Sequence, residues 1–375
     1  MIDSPPPPPP HRPPAIVRPA PYQASYGLIE GQVAPGTERV VVRVGGRVVG
    51  DVRPRARKFT ADVDLPAGEL TVRVESVDGT GRRAESRVRN VLGLPRAARP
   101  RIRTLRLDPA LQRDLRRLAG GFPGTSAMYV ESLTTGSGAG WNARATFPAA
   151  STLKLAIAVT LLSRTSGPPT FGTALDRTMR GMLIASDNIA ANRALVWLGG
   201  STSGGGHLVN AAMGAIGLER TEMYGGFLIG TSRETLRGVA ARGIPLNVVD
   251  QPSWGVGKAT TAQDLAQLHR VVWLASGGLG PRVGLDPGEA RYLLYLLARA
   301  QPHSKLGRVT HRRPGVVVLH KAGWVDAARH DAGLVAWRGG VYVAAVMTYR
   351  STGAGRGSDV LAGQVAERAL RRFRG

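Results

Sequence analysis

Two patterns of apolar positions divide the chain into an N-terminal β-rich part and a C-terminal mixed part. Between residues 21 and 105, short stretches alternate apolar and polar residues, as strands with one buried face do. Val40–Val44 and Arg47–Val52 flank Gly45-Gly46, which is a two-residue hairpin signal. Further strands are predicted at Lys58–Leu65, Glu69–Val77 and Glu85–Leu92. This pattern predicts a small all-β domain over residues 21–105, an immunoglobulin-like (Ig-like) β-sandwich.

A linker rich in arginine and proline follows at residues 95–106, and the pattern then changes to mixed helices and strands. Asp108 can cap a helix that ends near Leu118, because its carboxylate accepts from free N–H groups. Strands are predicted at Ala127–Leu133, Gly138–Ala145, Gly315–Leu319, Gly333–Trp337 and Val341–Thr348. Several helices separate the early strands from the late ones, and an amphipathic helix covers residues 358–373. This order predicts an α/β (α+β) domain over residues 108–375, in which strands from both ends form one antiparallel sheet with an inserted helical subdomain.

The composition fits a packed, globular chain that begins with a tail. Of the 375 residues, 43% are hydrophobic, which is enough for a substantial core. Residues 1–20 form a proline-rich tail that begins MIDSPPPPPPHRPP and lacks the apolar segment of a signal peptide. There is no apolar run of about 18 residues, so we expect no membrane span.

The net charge, the lack of cysteine and the positions of the histidines limit which partners and metals the chain is expected to bind. The net charge of +24 attracts polyanions, but the basic residues are scattered and no nucleic-acid-binding motif accompanies them. We therefore expect no nucleic-acid partner, while an anionic cell-envelope surface stays open. The chain has no cysteine, which excludes disulfides and thiolate chemistry, and its seven histidines show no metal-ligand spacing. Neither a metal nor a cofactor is predicted.

Lysine is rare in this arginine-rich chain. Only five of the fifty basic residues are lysines, namely Lys58, Lys154, Lys258, Lys305 and Lys321. Arginine does not lose its proton in proteins and cannot act as a base, whereas a buried lysine can. In a chain that otherwise uses arginine, a lysine indicates a position where an amine is needed. This argument is strongest for Lys154.

A candidate nucleophile lies at the start of an apolar, helix-forming run. Ser151 follows Pro148 and begins the run that ends at Leu162, and Lys154 lies one turn later on the same face. The helix N-terminus favours an oxyanion at Ser151, and burial lowers the pKa of the Lys154 amine, so that a neutral amine can accept the serine proton. Alone, this Ser-x-x-Lys pattern also fits a buried helix start with a solvated lysine.

Two further motifs follow along the chain. Ser186, Asp187 and Asn188 lie between two predicted helices, where a serine or aspartate can equally serve as a helix cap. Later, a β-branched strand leads into Lys321 and Gly323. Alone, this third motif also fits an edge strand with a solvated lysine.

In this order, the three motifs resemble the signature Ser-x-x-Lys, Ser-Asp-Asn and Lys-Thr-Gly of class A β-lactamases and penicillin-binding proteins. The resemblance covers residues 108–375. It implies that Ser151 is the acylated nucleophile, that Lys154 activates it, and that Ser186 relays a proton to the leaving nitrogen. The substrate-binding residues that it implies are Asn188, Lys321, Gly323 and Trp324. The backbone N–H groups of Ser151 and Trp324 would form the oxyanion hole.

Two departures from the family pattern bear on the substrate and on turnover. Ala322 stands where the family has threonine or serine, so a hydroxyl that helps hold a substrate carboxylate is missing. Residues 218–222 align with the family segment that ends in the deacylating glutamate, which would then be Glu222. Residues 216–221 match an earlier Gly-x-x-x-Thr turn equally well, and that alignment puts no carboxylate in place.

The resemblance implies a serine hydrolase that hydrolyses the β-lactam amide through an acyl-serine intermediate, without a cofactor or metal. Two alternatives stay open: a D-alanyl-D-alanine peptidase, or another amide or ester hydrolase of this fold, and a non-catalytic cell-wall-binding protein. The expected partner is a small β-lactam or a peptidoglycan-derived peptide, bound by a monomer. These substrates imply an extracytoplasmic location, secreted or in the cell envelope, although no signal peptide is visible.

Overall fold

This computed structural model describes residues 11–228, 257–281, 283–310 and 313–374. The chain divides into two units, residues 1–96 and 97–375. The Trp273 indole N–H donates to the Ala98 carbonyl oxygen at 2.8 Å, and residues 106–107 pair with residues 137–138 of the main sheet. Residues 97–107, which the sequence assigned mostly to a linker, therefore belong to the second unit.

The described part of the first unit, from residue 11 onward, contains the strands β1 Ala15–Arg18, β2 Ala24–Ser25, β3 Leu28–Gln32, β4 Thr37–Val44, β5 Arg47–Val52, β6 Lys58–Asp62, β7 Gly68–Asp78 and β8 Arg83–Gly93. They form a three-stranded sheet in the order β1-β3-β6 and a five-stranded sheet in the order β2-β8-β7-β4-β5. Ile29 and Phe59 of the smaller sheet belong to the same buried cluster as Val42 and Val74 of the larger one. The unit thus has one core shared by two sheets, while its immunoglobulin-like character stays a prediction.

Two details of this unit bear on the sequence predictions. The hairpin of β4 and β5 is confirmed, and its turn uses Gly45 and Gly46 at φ of 54° and 79°, a backbone region that favours glycine. The predicted tail was too long, because residues 15–18 form strand β1, which pairs with β3. The first ten residues of that tail lie outside the described residues.

The second unit contains the following elements: β9 Arg106–Leu107, α1 Pro109–Gly120, β10 Thr125–Ser132, β11 Ser137–Trp141, β12 Thr146–Pro148, α2 Lys154–Leu162, α3 Ala174–Leu183, α4 Asn188–Gly199, α5 Thr202–Ala215, β13 Ala259–Thr261, α6 Ala262–Ser276, α7 Pro287–Leu297, β14 Val317–Val325, β15 Ala328–Trp337, β16 Gly340–Tyr349 and α8 Gly355–Arg374. Short 3₁₀ helices cover Arg96–Ala98, Ala150–Leu153 and Leu306–Thr310. Within the described ranges, every helix is too short or too polar to cross a bilayer.

The main sheet has the strand order β14-β15-β16-β10-β11-β9 and is antiparallel except for the short strand β9. Strand β10 pairs with β16, so that Thr125 lies opposite Tyr349. The predicted union of early and late strands is therefore confirmed. The predicted cap of α1 is confirmed as well, since the Asp108 carboxylate accepts from the N–H groups of Ala110 and Leu111 at 3.1 Å. Apolar residues of α1 and α8 share one buried core cluster with residues of the sheet.

Helix α2 is buried along its whole length, Lys154–Leu162. It is therefore the central helix of the inserted helical part. It contacts α3, α4, α5 and α6. A helix with apolar neighbours on all sides needs an apolar sequence, which explains why this run reads as uniformly hydrophobic. The one charged side chain on α2 is Lys154, at its first residue, where the helix begins beside the end of β14.

Candidate active site

Ser151 lies between strand β12 and helix α2, in the 3₁₀ turn Ala150–Leu153. The predicted helix start is confirmed, with a first turn that is 3₁₀ rather than α. The residue before it, Ala150, has a φ of 51°, which a residue with a side chain rarely adopts. One residue earlier, the Ala149 N–H donates to the Lys258 carbonyl oxygen at 2.8 Å, and this hydrogen bond fixes the backbone that leads into the turn. Ser151 is partly exposed at the edge of a buried helix.

The Lys154 side chain is fully buried, and its amine has three oxygen acceptors. It donates to the Asn188 Oδ1 atom at 2.7 Å, to the Ser186 Oγ atom at 3.4 Å, and to the Ser186 carbonyl oxygen. Burial, and after it the charge of Lys321, lowers the pKa of Lys154 to about 7, whereas the charge of Asp187 opposes the shift. A substantial fraction of this amine is therefore neutral near neutral pH.

Ser186 occupies the bend between α3 and α4 with a φ of 59°. The helix cap is its neighbour Asp187, whose carboxylate accepts from the Ile189 N–H at 2.9 Å. The Ser186 hydroxyl is thus not used as a cap, and it accepts from Lys321 Nζ at 2.9 Å and from Lys154 Nζ at 3.4 Å. The hydroxyl lies between two amines, as a proton relay requires.

Lys321 lies on strand β14 and is fully buried, which excludes the alternative of a solvated lysine on an edge strand. Its amine donates to the Ser186 Oγ atom and, at 3.0 Å, to the Ala322 carbonyl oxygen. Burial lowers the pKa of Lys321 to about 8, while the negative charge of Asp331 opposes that shift. The charge of Lys321 therefore acts on the site through Ser186.

Gly323 brings the end of β14 against the serine turn. A Cβ atom on Gly323 would lie 2.8 Å from the Thr152 backbone nitrogen and 2.9 Å from that of Ser151, closer than such atoms approach. A glycine is therefore required at this contact. Trp324 follows directly, with a backbone N–H next to the contact and a side chain that is 62% exposed.

Asn188 is engaged at both ends of its side-chain amide. Its Oδ1 atom accepts from Lys154, and its Nδ2 atom donates to the Leu228 carbonyl oxygen at 2.7 Å. In this structure Asn188 positions the lysine and the segment that ends at Leu228. The structure thus brings Lys154, Asn188 and Lys321 together around Ser186. Among the described residues, the Ser151 hydroxyl has no hydrogen bond to Lys154 or Lys321.

Sequence reasoning missed two side chains at the site, Phe227 and Lys258. The centre of the Phe227 ring lies 4.7 Å from the Lys154 amine and 4.8 Å from the Lys258 amine. Asn192 holds the Phe227 backbone by accepting from its N–H at 2.6 Å and donating to its carbonyl oxygen at 2.8 Å. Burial lowers the pKa of Lys258 to about 8. The rarity of lysine marked Lys258 as unusual, but no sequence pattern pointed to Phe227.

Among the described residues, the Glu222 carboxylate has no hydrogen bond to Lys154, Lys258 or Ser186. Its carboxylate accepts from the Tyr224 hydroxyl and lines a separate cavity with His207 and Asn210. The preceding Thr221 is buried, and its hydroxyl bonds to Asp264 at 2.9 Å, as expected for a structural turn. This geometry favours the Gly-x-x-x-Thr alignment, in which residues 216–222 place no carboxylate at Lys154. The sequence also predicts a remodelled loop at residues 225–260, and most of that range lies outside the described residues.

Solved structures of the same fold cover nearly the whole of the second unit. PBP-A aligns with a TM-score of 0.57 at 22% identity, over 73% of this chain and 99% of the other. A point mutant of PBP-A, in an acyl-enzyme complex with penicillin G, gives 0.56 at 23% identity, over 73% and 99%. A class A β-lactamase from Mycobacterium abscessus gives 0.52 at 18% identity, over 71% and 100%. At these identities the likeness shows the fold alone.

The sequence itself matches a family model. No curated protein sequence is significantly similar to this one. The model described as the beta-lactamase enzyme family matches residues 110–167 and 165–373, which is most of the chain and includes all three motifs. Together with the shared fold, this match supports a β-lactamase-like serine hydrolase. The chain belongs to the beta-lactamase enzyme family.

Proposed function

We propose that this protein opens β-lactam amides by acylation of Ser151 and releases the acyl group slowly. The observation that carries the proposal is the buried Lys154 amine, which lies one turn after Ser151 and has a pKa lowered to about 7. A general base works best when its pKa lies near the working pH, because both of its protonation states are then accessible.

The chemistry divides among the side chains that the structure brings together. Neutral Lys154 accepts the Ser151 hydroxyl proton as the oxygen bonds to the β-lactam carbonyl carbon. The carbonyl oxygen becomes an oxyanion, which the backbone N–H groups of Ser151 and Trp324 stabilise. When the carbon–nitrogen bond breaks, Ser186 donates its hydroxyl proton to the leaving nitrogen and regains one from a neighbouring lysine, Lys154 or Lys321.

The positive charge at the site, and the similarity in fold to PBP-A, support a β-lactam as the ligand class. Lys321 and Lys258 add positive potential at the site, which favours an anionic substrate such as a penicillin. Ala322 supplies no hydroxyl for the carboxylate, so we expect weak binding before acylation. A variant of PBP-A, which shares this fold, forms an acyl-enzyme with penicillin G, and this supports a β-lactam as the probe.

The acylation step is tested by intact-mass measurement after incubation with penicillin G. Wild-type protein should gain the mass of one penicillin, because ring opening adds the whole molecule. Ser151→Ala should gain nothing. Equal labelling of both proteins would show that the acylated residue lies elsewhere and would overturn the assignment.

Slow release follows from the surroundings of Lys154. Hydrolysis of an acyl-serine needs a base that activates water, and such a base contributes about 10²–10⁴-fold. Among the described residues the Phe227 ring faces the Lys154 amine, and the Glu222 carboxylate is bonded to Tyr224. A chromogenic cephalosporin should therefore give a burst of one product per enzyme before a slow steady state. Glu222→Gln should leave that steady state unchanged, whereas a strong reduction would make Glu222 the deacylating base.

A D-alanyl-D-alanine peptidase is the second candidate, favoured by the same Phe227 contact. If no carboxylate activates water at Lys154, a β-lactam remains attached and acts as an inhibitor instead of a substrate. Release of D-alanine from a peptide that ends in D-alanyl-D-alanine would identify this activity. Both substrate classes occur outside the cytoplasm, where we propose that the protein acts.

A further inference from the structure

We propose that Lys305 is a positioning residue for the oxyanion hole, because its amine holds and polarises the peptide group between Gly323 and Trp324. The inference rests on the proposed function, in which the Trp324 N–H receives the oxyanion. It concerns a lysine that lies outside all three motifs.

The amine of Lys305 reaches the sheet from the start of the 3₁₀ helix Leu306–Thr310. Lys305 is 2% exposed, and its Nζ atom donates to the Gly323 carbonyl oxygen at 3.2 Å and to the His330 carbonyl oxygen at 3.0 Å. The Gly323 carbonyl and the Trp324 N–H belong to one planar trans peptide, so they point in opposite directions. A donor that holds the carbonyl therefore fixes the direction of the N–H at the other end.

The charge of the amine adds to this geometric effect. An ammonium that donates to a carbonyl oxygen draws electron density from the peptide and makes the N–H a stronger donor. Coupled hydrogen bonds strengthen one another by about 10–30% per bond. The positive charge lies on the carbonyl side of this peptide, and it also stabilises the developing oxyanion over a longer range.

A separate network keeps Lys305 in place. The Leu306 N–H donates to the Asp331 carboxylate at 3.0 Å, and the His320 Nδ1 atom lies 2.7 Å from the same carboxylate. Asp331 lies on β15 and His320 on β14, so the backbone beside Lys305 is attached to the strands that its amine contacts. Burial disfavours the charged amine, whereas the negative charges of Asp331 and Asp359 favour it.

A role in packing alone does not account for this side chain. Burying an ammonium costs several kcal/mol unless its partners compensate, and methionine would fill the same space without that cost. Basic residues in this chain are arginine in all but five positions, yet this buried position has lysine. The Lys305 acceptors are two carbonyl oxygens of paired strands, and one of them belongs to the peptide that supplies the Trp324 N–H.

The first test measures the peptide directly in the unliganded protein. The chain contains six tryptophans, so ¹⁵N-tryptophan labelling gives few amide signals, and Trp324→Phe identifies the one from Trp324. Lys305→Met should move the Trp324 amide proton upfield, because the N–H becomes a weaker donor. Leu115→Ala, which opens a cavity in a core cluster that contains neither Gly323 nor Trp324, should lower thermal stability without moving that signal. An unmoved signal in folded Lys305→Met would overturn the proposal.

The second test follows the oxyanion hole in the acylated protein. Lys305→Met should slow acylation by penicillin G about tenfold, less than the 10²–10³-fold that loss of a complete donor costs. The infrared stretch of the acyl carbonyl should move to higher wavenumber in Lys305→Met and stay in place in Leu115→Ala. Wild-type rate and wild-type stretch together would contradict the inference.

These two measurements separate the inference from the proposed function. If wild-type protein is not acylated, the proposed function fails, and the Trp324 amide signal still decides whether Lys305 controls the peptide. If Lys305→Met does not fold, Lys305→Gln keeps a donor without the charge, and a smaller upfield shift is expected. No shift in folded Lys305→Gln would then count against the proposal.

Discussion

At the scale of single residues, Lys154 shows how position changes the chemistry of an amine. An exposed lysine is almost fully protonated at neutral pH, but burial and the neighbouring charge of Lys321 bring the pKa of Lys154 to about 7. The oxygens of Ser186 and Asn188 keep the amine oriented in either protonation state. A residue that is a solvated charge elsewhere is here available as a base.

The substitution Lys154→Arg should remove the ability of this side chain to accept a proton, while it preserves the positive charge. Because a guanidinium stays protonated, we expect acylation by penicillin G to fall about 10²–10⁴-fold. Stopped-flow acylation with a fluorescent penicillin measures this loss. Lys58→Arg, at an exposed position of the first unit, is the matched control and should acylate at the wild-type rate. Comparable rates for Lys154→Arg and wild type would exclude Lys154 as the base.

The acylation rate should have a bell-shaped dependence on pH, with an acidic limb and an alkaline limb. It should rise as pH increases through about 7, where Lys154 loses its proton, and fall above about 8, where Lys321 loses its charge. Both pKa values lie below the 10.5 of an ordinary lysine, so between about pH 7 and 10 the unfolded chain binds more protons. These lysines therefore add stability as pH rises in that range, and unfolding would not explain the alkaline limb. A flat profile through pH 7 would contradict the assignment.

At the scale of elements, the site depends on how closely the end of β14 approaches the Ser151 turn. The two come from distant parts of the sequence, and Gly323 permits their contact because it has no side chain. The proposed oxyanion hole therefore depends on the fit between a strand and a 3₁₀ turn. Neither element forms it alone.

Gly323→Ala should separate the strand from the turn. Its Cβ atom would lie under 3.0 Å from two backbone nitrogens, so we expect acylation to fall about 10²-fold or more and stability to fall by about 1–3 kcal/mol. Acylation rate and thermal unfolding are measured together. Gly214→Ala, in helix α5 with open space for the new methyl group, should acylate normally. Normal acylation by Gly323→Ala would mean that this contact does not form the hole.

The elements were more predictable than the contacts between them. Periodicity predicted α1, the β4–β5 hairpin and the last three strands, because each depends on local turn chemistry or on one buried face. The spacing of Ser151 and Lys154 indicated a nucleophile and its base, whereas the role proposed for Ser186 is implied by the resemblance to the signature of class A β-lactamases and penicillin-binding proteins. The positions of Phe227 and Glu222 could not be predicted, since two alignments were equally good and tertiary packing decides between them. The burial of Lys321 likewise depends on residues that are distant in sequence.

At the scale of the whole molecule, the catalytic unit begins earlier than its first helix. Residues 97–107 contain none of the motifs, but the buried Trp273 indole uses the carbonyl of Ala98 as its acceptor, and β9 adds a strand to the sheet. The boundary that matters for stability is therefore the one at residues 96 and 97.

A chain that begins at Ala97 should fold and acylate at near the wild-type rate, because it keeps every motif and the Ala98 contact. A chain that begins at Asp108 should be less stable by about 1–3 kcal/mol or more, since the buried Trp273 N–H loses its partner. Thermal unfolding and penicillin labelling of the two chains make the comparison. Loss of labelling in a folded chain that begins at Ala97 would show that residues 1–96 shape the site.

The strand order also sets when the protein becomes active during synthesis. Strand β10 is translated long before its partner β16, which covers Gly340–Tyr349. Loop-closure entropy makes such long-range pairing slow, and until β14–β16 arrive, the edge of β10 is unpaired and prone to aggregation. Because Lys321 and Gly323 belong to β14, a nascent chain that has not reached β14 carries Ser151 without the proposed oxyanion hole. We therefore expect Ser151 to be unreactive towards other molecules until the ribosome has translated β14.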